Sequence, residues 1–346
     1  MRHAAHSGAR HGPSPPPAMP RQHPGWDEGR CRNSRTDPEA AAPGSTAGGA
    51  LLGCGPNHDR GRMPDPALQR HIDACNNIGS PAGLIPFRIG AAQVGWVSPD
   101  LAQALTFRPR DFHFDRDGVA LATRLRSPGL RSQALSEALP ALAAGGFLRI
   151  RREAFDVRET SAGPALATLD RGAVPAFGVM SQGVHVNGLV RRADGLHVWV
   201  GVRARDKAVA PGQLDNIVAG GIPAGLSPGE CLVKEAAEEA SLPPGLAAGA
   251  RPASRISYVM ANGEGLRRDV LHCFDLDIPE GITPVPGDDE VERFELWPAT
   301  RLLDAVRESD DIKFNVNLVL IDLFLREGLV EDRDGRLRAG LDQGPD

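Results

Sequence analysis

The sequence has few of the residues that mark disulfide-rich, metal-finger or membrane proteins. Its five cysteines are scattered and form no Cys-x-x-Cys pair, which argues against both a zinc-finger spacing and a disulfide framework. No run approaches the roughly 20 apolar residues that cross a bilayer, and the N-terminus lacks the apolar core of a secretory signal. The formal net charge of −5 over 346 residues does not favour nucleic acid or a membrane surface as the partner. We therefore expect a cytoplasmic protein, monomeric or homodimeric, that acts on a small molecule.

Residues 1–62 lack hydrophobic periodicity. They are rich in Pro, Gly, Ala, Arg and His, and such a composition buries too little apolar surface to offset the entropy of folding. We predict that this segment is disordered. Met63 directly precedes the first patterned residues, so we expect translation to start there.

From residue 63 to 175, short patterns predict a small α+β domain. Its first helical spacing is formed by Leu68, Ile72, Cys75 and Ile78. Strand-like segments follow at 85–89, 94–96, 112–114 and 147–150, and a helix is predicted over 132–144. We find no cluster of acid, base and nucleophile in this domain, so we assign it no chemistry.

From residue 176 to 330, strands alternate with helices, which predicts an α/β or α+β sandwich. The strand-like segments are 184–190, 197–202, 256–260, 270–276 and 291–296, and an apolar helix is predicted over 316–325. Residues 331–346 are predicted to form a C-terminal tail.

A strong helix-start signal lies inside the second domain. Ser227 is predicted to be the N-cap, Pro228 takes the first helical position, where a missing N–H costs nothing, and Glu230 completes a capping box. Residues 225–229 (Gly-Leu-Ser-Pro-Gly) also match the nucleophile elbow of serine hydrolases. That elbow needs a backbone N–H directly after the serine, which Pro228 lacks. We therefore interpret Ser227 as a cap.

Three glutamates on this helix are candidate metal ligands. Glu235, Glu238 and Glu239 lie at i, i+3 and i+4, so they share one face. Like charges at this spacing repel one another, and a divalent cation would offset the repulsion. Carboxylate oxygens that leave room for water and phosphate suit Mg²⁺ or Mn²⁺. From spacing alone, a solvated acidic surface is the alternative.

The stretch 220–242 resembles the Nudix box, a glycine-rich loop followed by a helix with the core Arg-Glu-x-x-Glu-Glu. The three glutamates fall on those of the box, and Lys234 stands where the family has arginine. Two positions differ, because Leu226 replaces the first glutamate of the box and Ser241 replaces its last glycine. The resemblance implies a Nudix α/β/α sandwich preceded by a small α+β domain and a disordered N-terminus.

Nudix hydrolases cleave a diphosphate that is linked to another group, with metal-activated water attacking phosphorus. The resemblance therefore implies metal binding by the three glutamates, with Glu238 also catalytic. A further carboxylate in this family often comes from a later loop. Here 288–292 is the matching segment, with Glu290 as the first candidate for an extra ligand or base and Glu292 as the second.

Residues 67–328 resemble the Nudix proteins related to thiamine pyrophosphokinase, which carry an extra N-terminal domain. The matching stretches are 183–188, Lys207 with 211–216, 220–225, 289–294 and 313–315. This resemblance implies hydrolysis of thiamine diphosphate, or of its oxidised analogues, to the monophosphate and phosphate. The alternatives are a phosphatase for 8-oxo-dGDP or another nucleoside diphosphate, a Nudix-fold sensor without turnover, and a diphosphate isomerase.

Four further residues are candidates for substrate binding. Arg203 and Lys207 follow the second predicted hairpin strand, and Lys313 precedes the last helix. Their cationic groups fit a terminal phosphate, although solvated surface charge is the alternative. Asn216 lies in a loop with Pro and Gly, where it serves either the ligand or the turn.

Overall fold

The first part of the chain forms a four-stranded sheet packed on helices. The computed structural model describes residues 65–206 and 210–344, so the predictions of disorder over 1–62 and of a start at Met63 lie outside the described residues. The α-helices and strands of this part are α1 (Pro66–Cys75), β1 (Ile85–Ile89), β2 (Ala92–Val97), α2 (Pro99–Leu105), β3 (Phe112–Asp115), β4 (Gly118–Leu121), α3 (Pro128–Ala144), β5 (Ala154–Val157) and β6 (Ala167–Asp170). The sheet has the order β2-β1-β4-β3, and β5 pairs separately with β6.

The second part is built around a seven-stranded sheet. Its α-helices and strands are β7 (Met180–Arg192), β8 (Gly195–Arg203), β9 (Leu214–Asn216), β10 (Val218–Gly221), α4 (Pro228–Ala240), α5 (Pro244–Ala247), β11 (Arg251–Asn262), β12 (Gly265–Asp277), β13 (Val291–Pro298), α6 (Ala299–Glu308), α7 (Phe314–Arg326) and α8 (Arg336–Gly340). The main order is β11-β12-β7-β8-β13, with β10 paired to β7 and β9 paired to β8. Strands β12 and β7 run parallel.

Alternate side chains of the central strands fill two hydrophobic cores, one on each face of this sheet. On β7, Leu189 lies in the core that contains α6 and α7, whereas Val186 and Val190 lie in the core that contains α4. On β12, Cys273 and Leu276 follow the same alternation. The predicted α/β/α sandwich with a preceding α+β unit is therefore confirmed. Within the described residues, no helix combines the length and apolarity needed to cross a bilayer.

Two segments pack differently from their predicted assignment. Helix α1, predicted within the domain 63–175, buries Leu68 and Ile72 in the core of α6 and α7. The segment predicted as a tail contains α8, which contacts α1 and buries Leu337 and Leu341. An amphipathic pattern shows that a helix buries one face, but it does not show which surface covers that face.

One short strand was predicted wrongly. Residues 147–150 are irregular, and the strand of this region is β5. Helices α2 and α6 were not predicted. A short apolar run does not distinguish a strand from other buried backbone, because periodicity needs a longer window.

The two parts meet close to the start of α4. The N–H of Ala224 donates to the carbonyl of Ala154 at 2.7 Å. A Cβ on Gly221 would lie 2.4 Å from the Cζ atom of Phe155, so any side chain here would have to displace this ring. Strand β5 of the first part therefore supports the loop that leads into the glutamate helix.

Candidate functional site

Helix α4 begins as its sequence predicts. The N–H of Glu230 donates to Ser227 Oγ at 3.3 Å, and the N–H of Ser227 donates to Glu230 Oε2 at 2.9 Å. Pro228 occupies the first turn. Ser227 Oγ also donates to Glu230 Oε2 at 2.6 Å. The serine hydroxyl is thus used by the helix start, which confirms the cap interpretation.

Two of the three candidate glutamates turn toward β10. A Cβ on Gly220 would lie 2.8 Å from Glu235 Cδ, so the glycine makes room for this carboxylate. Glu239 is 7% exposed, and its Oε2 accepts the N–H of Ala219 at 3.0 Å. Glu238 is half exposed at the helix surface. The three side chains share one face, as predicted, but they differ in burial.

Lys234 neutralises part of this face. Its Nζ donates to Glu235 Oε1 at 3.0 Å and to Glu238 Oε2 at 2.5 Å. In the described ranges, no three His, Cys, Asp or Glu side chains converge as a ready-made metal site. The ammonium group binds two of the glutamates, so the three carboxylates are not gathered around one point.

The charges around Glu239 nevertheless fit a divalent cation. Burial raises the pKa of its carboxyl well above the ordinary value, and the charges of Asp215, Glu235 and Glu290 raise it further, against the hydrogen bond from Ala219. Burial also raises the pKa of Glu235. A cluster of carboxylates offers hard oxygen donors, and these are the ligands that Mg²⁺ and Mn²⁺ prefer.

Arg203 and Lys313 share one buried carboxylate. Their nitrogens lie 2.8 and 2.9 Å from Asp215 Oδ2. Burial alone would raise the pKa of Asp215, but Lys313 and Arg203 hold it below its ordinary value. Both cations also line the same cavity.

That cavity has a volume of about 340 Å³ and is lined by both parts of the chain. Glu290, Arg203 and Lys313 contribute from the second part, together with Ala219 and Gly220, which contact the glutamates of α4. The first part contributes Arg151, Phe155, Arg171, Gly172 and Val174. Sequence reasoning assigned no site residues to this part, because patterns within 63–175 do not reveal contacts with β7 and β10.

Sequence models of known domains match both parts of the chain. The NUDIX domain matches residues 182–316, and a domain of unknown function, DUF4743, matches residues 67–181. Nudix hydrolase 20, chloroplastic, of Arabidopsis thaliana is 34% identical over 274 residues, which are 75% of this chain and 72% of that protein. Nudix hydrolase 24, chloroplastic, of the same plant is 35% identical over 263 residues, with the same two shares. The chain belongs to the Nudix hydrolase family.

As a Nudix hydrolase, the protein is an enzyme, a pyrophosphohydrolase; the family generally acts on nucleoside diphosphate derivatives with a divalent metal. Among solved structures, the NUDIX domain of Shewanella oneidensis NrtR complexed with ADP ribose aligns over 45% of this chain and 92% of that chain. Its identity is 16% and its TM-score is 0.35.

Of the other two predicted substrate-binding residues, one lies outside the described part of the chain and the other does not line the cavity. Lys207 lies outside the described residues. Asn216 is 4% exposed and is not among the residues that line the cavity. Its amide instead bonds to Asn187 and His185, which gives it a positioning role. Glu292 pairs with Arg293 at 3.2 Å, so Glu290 is the carboxylate that this loop directs to the cavity.

The serine that replaces the last glycine of the Nudix box has a left-handed backbone. Ser241 is the C-cap of α4 with φ 51°, a conformation that glycine adopts with less strain. We expect Ser241→Gly to raise the free energy of unfolding by roughly 1 kcal/mol in urea denaturation. The control is Ala248→Gly at the C-cap of α5, where φ is −63° and the side chain makes no hydrogen bond. An equal gain at Ala248 would contradict the strain explanation.

Proposed function

We propose that this Nudix hydrolase cleaves the diphosphate of a small organic molecule to the monophosphate and phosphate, with Mg²⁺ or Mn²⁺. The observation that carries the proposal is the cavity in which Arg203, Lys313 and Glu290 meet beside the glutamate helix. Its volume lies in the range of small-molecule sites, roughly 300 to 1,000 Å³. The partner is thus a small molecule, and we propose neither nucleic acid nor membrane binding. We also propose a cytoplasmic monomer or homodimer.

Thiamine diphosphate, or an oxidised analogue of it, is the first candidate substrate. It is supported by the resemblance of 183–188, 211–216 and 313–315 to the thiamine pyrophosphokinase-related branch. A nucleoside diphosphate such as 8-oxo-dGDP is the second candidate, because Nudix hydrolases generally act on nucleoside diphosphate derivatives.

The charged residues next to the glutamate helix have distinct roles in this proposal. Arg203 and Lys313 bind the terminal phosphate, and Asp215 holds both cations in place before the substrate arrives. Glu290 accepts the proton of the attacking water. Glu235, Glu238 and Glu239 would hold the metal, which would neutralise phosphate charge and lower the pKa of that water.

The test is a panel of diphosphates incubated with the protein and Mg²⁺. The panel contains thiamine diphosphate, oxythiamine diphosphate, 8-oxo-dGDP and dGDP, and both the monophosphate and free phosphate are quantified by chromatography. We expect turnover of the thiamine compounds to exceed that of the nucleotides. Tight binding without products would favour a sensor, and a rearranged product that keeps its diphosphate would favour an isomerase.

Removal of one phosphate-binding cation should weaken substrate binding. We expect Lys313→Met to raise KM about 10- to 100-fold, which is the effect of losing one charge-assisted hydrogen bond. Asp215 keeps Arg203 as its partner in this variant, so the fold is retained. Steady-state kinetics measures the effect, and Arg191→Met, which breaks a surface pair with Glu327, is the control. An unchanged KM in Lys313→Met would show that Lys313 does not bind the phosphate.

A further inference from the structure

His185 is a buried histidine of the cavity that the proposed reaction does not yet use. It lies on β7 beside Ala219 of β10, is 4% exposed, and lines the cavity. Its Nδ1 is 2.9 Å from Asn216 Oδ1. Its Nε2 has no hydrogen-bond partner among the residues that the structure describes. Nε2 is therefore the ring nitrogen that is available to a bound molecule.

A chain of hydrogen bonds behind His185 determines which ring nitrogen carries the proton. At its far end, Arg326 donates to both carboxylate oxygens of Asp275, at 2.6 and 3.0 Å. A carboxylate in such a pair only accepts hydrogen bonds. Asn187 must therefore direct its Nδ2 to Asp275 Oδ1, at 3.0 Å, which leaves its Oδ1 to accept from Asn216 Nδ2, at 3.1 Å.

The same logic continues to the imidazole. With its Nδ2 engaged by Asn187, Asn216 presents Oδ1 to His185, and an amide oxygen only accepts. Nδ1 of His185 must then be the donor. Burial, and after it the charge of Lys313, lower the pKa of His185 to about 4, so the ring is neutral near pH 7. A neutral imidazole that is protonated on Nδ1 has an unprotonated, accepting Nε2.

We propose that His185 Nε2 accepts a hydrogen bond from an N–H or O–H donor on the organic group of the substrate. This inference rests on the proposed diphosphate hydrolysis and adds a residue that recognises the substrate. Arg203 and Lys313 are donors suited to phosphate oxygens, but Nε2 cannot bond a phosphate oxygen, since both are acceptors. An amino group or ring N–H on a heterocycle has the complementary chemistry.

A buried acceptor of this kind also selects between substrates. A substrate that lacks the donor leaves Nε2 desolvated and unpaired, and the site therefore binds it less well than a donor-bearing substrate. The tautomer of His185 is fixed by the buried residues of the hydrogen-bond chain behind it, which are Asn216, Asn187 and Asp275. The site therefore keeps its preference for a substrate that carries a donor.

The first test reads the tautomer of His185 without any substrate. We expect the nitrogen-15 NMR signals of this ring to show a protonated Nδ1 and an unprotonated Nε2, assigned by their loss in His185→Asn. The variant Asn187→Leu frees the Asn216 amide to turn, so a mixture of tautomers is expected. A wild-type ring protonated on Nε2, or a charged ring at pH 7, would overturn the proposal.

The second test compares thiamine diphosphate with its analogue that has hydrogen in place of the pyrimidine amino group. His185→Asn keeps an amide near the position of Nδ1 and removes Nε2. We expect kcat/KM for thiamine diphosphate to fall about tenfold, with little change for the analogue, and partial recovery in His185→Gln. His197→Asn, at a buried histidine outside the cavity lining, is the control.

An equal loss for both substrates in His185→Asn would overturn the recognition role. If the wild type does not hydrolyse thiamine diphosphate, that substrate assignment fails by itself. The same comparison is then made with dGDP and dIDP, which also differ by one amino group, and the NMR result still tests the accepting nitrogen.

Discussion

Replacing Glu239 by Gln is expected to lower kcat about a thousandfold and, at the same time, to stabilise the metal-free protein. The loss of turnover is expected because an amide cannot supply the anionic oxygen that a divalent cation needs. The gain in stability is expected because Glu239 is buried near Asp215, Glu235 and Glu290, whereas a neutral amide is not repelled by them. The amide oxygen still accepts the N–H of Ala219.

The stability gain should depend on pH in a defined direction. The pKa of Glu239 is raised in the folded state, so folding favours the protonated carboxyl. Below the unfolded pKa, roughly 4.3, both states are protonated and the variant gains little. As pH rises from there toward the folded pKa, the unfolded chain ionises first and the wild type loses stability relative to Glu239→Gln.

Urea unfolding with a chelator at several pH values, beside kinetics with Mg²⁺, measures both effects. Glu280→Gln is the control, because Glu280 is exposed and pairs with Arg192 at 3.3 Å. Wild-type turnover in Glu239→Gln would show that this residue is not a metal ligand. A loss of stability in the metal-free variant would contradict the charge-repulsion explanation.

Removal of residues 1–175 is expected to abolish turnover, whereas removal of residues 1–62 should leave kcat/KM unchanged. The longer deletion removes the cavity wall around Phe155 and Arg171. It also removes α1, whose buried face covers the core of α6 and α7. Exposed apolar surface would then destabilise what remains. Full activity of residues 176–346 alone would contradict a role of the first part in the site.

Point variants separate the cavity wall from the fold. We expect Arg151→Gln together with Arg171→Gln to raise KM several-fold, about the effect of one or two hydrogen bonds. Arg149→Gln is the matched control, since Arg149 is exposed on the same segment and does not line the cavity. Equal KM values in the wild type, the double variant and the control would show that these two arginines do not contribute to substrate binding.

Helix α4 shows how much of a helix the local sequence determines. Ser227, Pro228 and Glu230 define its start through bonds that span only three residues. The face shared by Glu235, Glu238 and Glu239 follows from the helical period alone. The five longer strands of the central sheet were also predicted from the sequence, because their side chains alternate between two buried faces. The short strands β9 and β10 were not predicted, and Asn216, which was expected in a loop, ends β9. The predicted features depend on near neighbours in the chain.

Other features depend on residues far apart in the chain. The sequence by itself determined the family motif, the carboxylate face and the elements of the sandwich. Only the tertiary structure showed that Phe155 lines the cavity and that Lys313 and Arg203 both pair with Asp215. It also showed that α1 packs on the core that contains α6 and α7. It also showed that Asn216, which was predicted to bind the substrate, instead forms a hydrogen bond with His185. The physical reason is that a periodic pattern specifies which face of an element is buried, whereas the partner of that face is set by how the whole chain packs.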